Sequence, residues 1–250
     1  MPTLGIAVIT KNAATHLNEC LNSVSWANEI VVVDSGSTDC TLDIARNFNA
    51  RIIETMDWPG FGPQKNKAIE ALNTDWILAL DSDEIVSPRL AESIRTIITL
   101  GAHDVYEINR TSNYCGRWIQ HSGWSPDWVA RLFKRGTAEY SNDIIHERLI
   151  HEAKPGRVVG ELYHYSFDDL ESVLRKINDY STAGAEQKYK KGEKSSIAKA
   201  IYKGIWAFFR TYFLKLGFLD GQEGLMLAVS NAEGTYYRYL KLALLYKNEN

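Results

Sequence analysis

Cysteine is scarce. Cys20, Cys40 and Cys115 are the only three, and no two form a C-x-x-C pair. An odd number at such spacing leaves no disulfide framework to argue from, and a reducing compartment is expected. No apolar run reaches the length of a spanning helix. No signal-peptide pattern opens the chain, which starts strand-like as Met1-Pro-Thr-Leu-Gly-Ile. An excess of positive charge is also missing. The formal net charge of −3 excludes a polycation built for nucleic acid. There is no G-x-x-x-x-G-K-[ST] cradle for ATP-type phosphates, and no G-x-G-x-x-G follows the first strand-like run. Internal repeats and low-complexity linkers are absent too.

What remains is an ordinary core-forming composition, 45% hydrophobic and 24% charged, in a length of 250 that suits one large domain or one domain with an appendage. The first hundred residues alternate strand and helix. Leu4 to Thr10 is a short apolar strand, and Leu17, Cys20, Leu21 and Val24 recur at helical spacing. Glu29-Ile-Val-Val-Val-Asp34 shows no polar alternation, as expected of a strand covered on both faces. A helix over 42–48, a strand over 51–54, a helix from about Gln64 and a strand over 75–80 follow. This order predicts a parallel α/β sheet. Beyond a helix over 90–100, strand-like pieces at 105–109, 129–134, 144–150 and 158–164 extend the sheet, and the chain reads as helical from Phe167.

Ligands of open α/β sheets bind at the carboxyl ends of the strands. Three polar clusters fall there: Thr10-Lys11-Asn12, Asp34-Ser-Gly-Ser-Thr-Asp39 and Asp81-Ser-Asp-Glu84. The third places three carboxylates within four positions after a buried run, which requires a positive partner. A hard divalent cation such as Mg²⁺, held by Asp83 and Asp81 and by substrate phosphates, is the simplest one. A helix-terminal charge cluster before Leu90 is the plainer alternative. A diphosphate on that metal makes a nucleotide or nucleotide-sugar ligand the expectation.

The charge is uneven. Residues 186–216 hold eight cations against Glu186 and Glu193, so the window carries +6 and the remainder −9. On a helical wheel Ile197, Ile201, Ile205, Phe208, Phe209, Tyr212 and Leu216 share one face. Lys199, Lys203 and Arg210 oppose it, and Trp206 and Phe213 flank it. That pattern predicts a helix lying on an anionic membrane surface; packing on the domain is the alternative.

The runs "VITKN", "VVVDSGSTD" and "ILALDSDE", in this order, resemble the inverting glycosyltransferases of family two, with the GT-A fold. "WPGFGPQKNKAIEAL" and the tail "GFLDGQEGLMLAVSNAEGTYYRYLKL" are similar to the bacterial enzymes that add glucose to heptose of the lipopolysaccharide inner core. The resemblance implies a GT-A domain over 1–166, with a nucleotide half over 1–100 and an acceptor half over 101–166, then a helical attachment over 167–250. It implies a metal-dependent transferase using Mg²⁺ or Mn²⁺, a donor of the UDP-glucose kind and a lipid-linked saccharide acceptor. It further implies a peripheral location on the cytoplasmic face of the inner membrane.

By the same resemblance Thr10, Asn12, Asp34 and Ser35 line the nucleotide pocket. Lys65 and Asn66 stand on the donor side, with Asp81 and Ser82 near the ribose. Asp83 ligates the metal and Asp81 shares it. Asp39 has no clear place beyond capping the following helix, and Glu84 none beyond opening the next loop. His164 is a candidate further metal ligand or leaving-group contact, or a hydrogen-bonded structural residue. Many members carry a Glu-Asp pair whose Asp is the base, and this chain has none in its second half. Glu147 is the chosen base and Asp127 the second candidate; for Glu147 the plain reading is an ion pair with Arg148 or Arg131. Trp124 and Arg131 are acceptor candidates, with core packing the alternative for Trp124. A nucleotidyltransferase and a non-catalytic nucleotide-sugar-binding protein are the competing functions.

Overall fold

The computed structural model describes residues 1–142 and 147–247. They divide into two units: 1–110 with 127–165, and 111–126 with 166–250. The helices begin at Leu170, after a strand that ends at Phe167. Residues 111–126, expected in the acceptor half, belong to the second unit.

The first unit is built on three strands with continuous apolar runs. They are β1 (Leu4–Thr10), β2 (Glu29–Asp34) and β4 (Trp76–Asp81), nearly every residue of which is buried. With β3 (Arg51–Glu54) they form a parallel array in the order β3-β2-β1-β4. Successive side chains point to opposite faces, so each strand feeds two cores. Ile6, Val8, Val32, Leu78 and Leu80 enter one; Ala7, Ile9, Val31, Val33 and Ile77 enter the other. Helices α1 (Ala14–Ser23), α2 (Thr41–Asn47) and α3 (Phe61–Ala71) are the crossovers. Helix α4 (Pro88–Leu100) has each expected punctuation. Ser87 accepts from the Leu90 N–H, Pro88 opens the helix, and Gly101 closes it in the left-handed region.

Beyond β4 the sheet continues with antiparallel pairings. It adds β8 (Asp127–Lys134), β6 (Val105–Tyr114), β11 (Gly156–Phe167) and β5 (Glu84–Val86) in that order. A separate pair joins β9 (Ala138–Tyr140) to β10 (Leu149–His151). The strand expected over 144–150 is described only in its last residues, because 143–146 lie outside the described residues. Three short strands had no clear sequence signal: β5, β9 and β7 (Arg117–Trp118).

The second unit is mainly helical: α5 (Leu170–Lys190), α6 (Ile197–Phe209) and α7 (Gly221–Lys247). Asp169 caps α5 by accepting from the Ser172 N–H, and Ser196 caps α6 by accepting from the Lys199 N–H. A small core of Tyr114, Ile119, Val173 and Leu227 is completed by Trp124, Phe167 and Ile177. Buried Asp220 staples its loop, accepting from the N–H groups of Gln120 and His121 and from the Ser122 hydroxyl.

Candidate functional site

The three polar clusters end neighbouring strands. Thr10 pairs with Asp34, and Ile9 with Asp81, so the carboxyl ends of β1, β2 and β4 stand side by side. Asp34 is fully buried there. One oxygen accepts from the N–H groups of Gly36 (3.0 Å) and Ser37 (2.8 Å), and the other from the hydroxyls of Thr10 (2.8 Å) and Ser37. Asp34, expected to line the nucleotide pocket, has an internal role here: its carboxylate shapes the loop. Asn12, at φ 51, stitches the same loop to β1, its side-chain oxygen accepting from the Thr38 N–H at 2.8 Å. Asp39 accepts from the Ala14 N–H and from Thr41, tying the starts of α1 and α2 together, and its hydrogen bonds with Thr41 hold its carboxyl below the usual range. Ser35 is buried and accepts from Gln64 at 3.0 Å.

Helix α3 turns polar residues inward. Gln64 and Lys65 are both buried on the face that packs against β1 and β2. The Lys65 ammonium lies 2.8 Å from Asp81 Oδ1 and 3.0 Å from Glu147 Oε1, with the Tyr140 ring 4.9 Å away. Burial pulls its pKa down, but Asp81, Tyr140 and Glu147 together more than offset this and the net shift is upward. Gly62 makes room for this junction: a Cβ there would sit 1.9 Å from the Ser141 carbonyl oxygen. Asn66 exchanges hydrogen bonds with the Tyr140 backbone at 2.9 and 2.8 Å, which makes it a clamp on β9.

Two members of the acidic triplet, Asp81 and Glu84, thus have protein side chains as their positive partners. Asp81 Oδ2 meets Arg131, whose same nitrogen reaches Glu84 Oε1 at 2.7 Å. Burial works to raise the Asp81 carboxyl, yet Arg131 first and Lys65 second hold it far below the ordinary carboxylate range. Arg131, expected to face an acceptor, is buried and serves as this counter-ion; its other terminal nitrogen donates to the Tyr140 hydroxyl at 3.2 Å. Glu84, expected only at the start of a loop, is fully buried in β5 and also accepts from the Asp81 N–H at 2.9 Å. Its burial was illegible in sequence because its partners lie 47 residues away at Arg131 and on Arg110.

Asp83 has different surroundings. Its carboxylate is about one-third exposed, 3.6 Å from His164 Nε2, and its backbone oxygen accepts from the Tyr165 N–H. Ser82 lies between Asp81 and Asp83 in the turn joining β4 to β5. Among the described residues no group of three His, Cys, Asp or Glu side chains forms a ready metal cage. Mg²⁺ and Mn²⁺ sites completed by substrate phosphates need fewer protein ligands. Asp83 with His164 fits that arrangement, whereas both oxygens of Asp81 are already engaged by cations.

The two base candidates differ in setting. Glu147 is brought to Asp81 through Lys65. Asp127 is held by Arg110 at 2.8–2.9 Å. Trp124 packs against Tyr114 and Phe167 in the second unit, beside a cavity of about 160 Å³ also lined by Tyr180, Leu227 and Arg238. The membrane candidates are in the second unit as well. Trp206, Phe209 and Arg210 are exposed, and Lys199 and Lys203 lie against the Tyr239 ring.

Comparison with known proteins adds the following. The family model described as "Glycosyl transferase family 2" matches residues 5–217. An uncharacterized glycosyltransferase of Rickettsia prowazekii is 30% identical over 258 aligned residues, covering 98% of this chain and 87% of the relative. The lipopolysaccharide core biosynthesis glycosyltransferase LpsC of Rhizobium meliloti is 28% identical, covering 98% and 92% respectively. Among solved structures, S. aureus TarS 1-349 aligns at a TM-score of 0.49 with 16% identity, over 99% of this chain and 92% of that one.

Proposed function

The chain belongs to glycosyl transferase family 2, with the α/β GT-A type of fold, and from that premise we propose that it transfers glucose, with inversion, from UDP-glucose to a heptose of a lipopolysaccharide inner core or a similar glycolipid. The observation that carries the proposal is the junction at the ends of β1, β2 and β4, where Lys65 bridges Asp81 and Glu147. The acceptor class is supported by the likeness to LpsC, a lipopolysaccharide core enzyme by name, and glucose rests on the resemblance of the sequence motifs alone. A cytoplasmic, membrane-peripheral location follows from such an acceptor. Among the described residues no helix is long and apolar enough to cross a membrane.

In the proposed reaction the loops after β1 and β2, stiffened by Asn12 and Asp34, receive the nucleoside. Asp81, fixed between Lys65 and Arg131, presents a carboxylate of set orientation toward the ribose. Asp83 and His164 would hold Mg²⁺ or Mn²⁺, which when bound supplies positive charge beside the diphosphate. Glu147, oriented by Lys65, takes the proton of the acceptor hydroxyl. The hydroxyl oxygen bonds to the anomeric carbon as the bond to the diphosphate breaks. The electron pair leaves with the nucleoside diphosphate, and a single displacement inverts the carbon. A nucleotidyltransferase would release pyrophosphate instead.

The test is a thermal-shift panel of nucleotide sugars with and without Mn²⁺, followed by product analysis. A ligand that binds only the folded chain raises its apparent stability. Stabilisation by UDP-glucose in the presence of Mn²⁺ and release of UDP on adding acceptor are expected. Indifference to every nucleotide sugar, or release of pyrophosphate, would overturn the proposal.

A further inference from the structure

Large apolar side chains crowd one stretch of the surface. Of the 26 exposed large hydrophobics among the described residues, 14 lie between Ile197 and Val229. That is far more than scattered exposure explains, and contiguous apolar patches of this kind mark interaction surfaces. The cause lies in how α6 packs. Its buried face is made of small residues, Ala200, Gly204 and Ala207, followed by Thr211. A Cβ on Gly204 would stand 3.1 Å from Tyr236 Cβ and 3.3 Å from the Ala232 oxygen, so its absence lets α6 lie close on α7. The bulky residues are left facing outward: Ile205 is 66% exposed, Trp206 45% and Phe209 43%. Past the helix end Phe213, whose ring is 5.2 Å from that of Phe209, is exposed as well, and so are Leu214, Phe218 and Leu219.

The charged flank is also ordered. The ammonium groups of Lys188, Lys199 and Lys203 lie 5.3, 5.5 and 5.9 Å from the centre of the Tyr239 ring. Lys188 is paired with Glu193, whose hydrogen bond holds that ammonium above its ordinary range. For Lys199 and Lys203 no carboxylate lies within ion-pair distance among the described contacts; Lys199 donates to the Lys194 backbone oxygen. Around α6 the order is therefore small buried residues, large aliphatics, aromatics, then cations. Apolar body, aromatic rim and cationic edge is the sequence of environments across a membrane interface.

We infer that the outer face of α6 and the turn after it, from Ile197 to Leu219, inserts into the surface of an anionic bilayer, with Lys199 and Lys203 beside Tyr239 receiving a lipid headgroup phosphate. The inference rests on the reading of the acceptor as lipid-borne and names the surface that meets the lipid. Charge selects a bilayer over a second copy of the chain. Self-pairing across this face would bring two segments of +6 together, whereas anionic headgroups complement them.

The experiment is flotation of the full chain with vesicles of phosphatidylcholine alone and with phosphatidylglycerol added, at low and high salt. Wild type is expected to float with the anionic vesicles. Lys199→Gln with Lys203→Gln should lower that partitioning about 30-fold, from two surface cations removed, and narrow the preference over neutral vesicles by the same factor. Ile205→Asp with Phe209→Asp should remove binding to both, and the milder Ile205→Asn should weaken it. Coincident circular-dichroism melts keep folding out of the comparison. Failure of wild type to float, equal flotation of the variants, or an Ile205→Asp effect on oligomeric state alone would each overturn the inference. Turnover of nucleotide sugar on a water-soluble acceptor is measured in parallel. Loss of that activity reading leaves flotation standing, and loss of flotation leaves the activity standing.

Discussion

Arg131→Met is the sharpest perturbation of the site. Arg131 is buried and reaches Asp81, Glu84 and the Tyr140 hydroxyl. Removing one partner of a buried ion pair costs about 3–5 kcal/mol, because a charge is left without compensation in a poorly solvated place. Here the remaining partners soften the loss. Asp81 keeps Lys65 at 2.8 Å, and Glu84 keeps the Asp81 N–H and a more distant Arg110 at 3.6 Å. The lower end, about 3 kcal/mol, is therefore expected. In a chain of this size that lowers Tm by about 6–12 °C. The pH dependence adds a second mark. Asp81 has its folded-state pKa depressed, so its contribution is present above the unfolded carboxylate range and lost as pH falls. Arg131 is the larger cause of that depression, so the gap between wild type and variant should narrow below about pH 4. Arg131→Lys should recover part of the loss, since a point charge replaces a fork. Melting by circular dichroism at pH 7 and at acidic pH measures all of this. A variant melting within a degree or two of wild type at pH 7 would refute the assignment of Arg131 as the buried counter-ion.

Asp83→Ala is expected to abolish transfer and the Mn²⁺-dependent stabilisation by nucleotide while leaving the melt of the free chain unchanged, because the carboxylate is partly exposed and stands 3.6 Å from His164; retained turnover with metal present would remove Asp83 from the metal site. Glu147→Gln should lower kcat by about 10²–10⁴ with nucleotide binding retained, and Asp127→Asn should do far less; the reverse ranking in a UDP-release assay would transfer the role of base to Asp127. Gly62→Ala should destabilise the first unit, since its Cβ would fall 1.9 Å from the Ser141 oxygen; an unchanged melt would show that the 141 segment yields freely.

Continuous apolar strands, cap residues and turn glycines are local signals, and they carried the parallel array. β1, β2 and β4 lie where the apolar runs put them. The convergence of Thr10, Asp34 and Asp81 was legible for the same reason, since parallel order places the ends of neighbouring strands together. The short strands β5 and β9 were not, because two or three residues held by distant partners leave no period to detect.

The sequence by itself determined the family, the α/β order and the presence of an acidic cluster at a buried strand end, because motifs and periodicity are written in consecutive residues. Only the tertiary structure decided what neutralises that cluster. Lys65 and Arg131 come to Asp81 from α3 and β8, and Glu84 turns inward to share Arg131. Electrostatic compensation depends on distance through space, and 50 residues of chain separate Asp81 from Arg131. The same holds for α6, whose wheel gave an apolar face but not its exposure. That was settled by which side packs on α7, and the small side does, because close helix approach selects Ala and Gly.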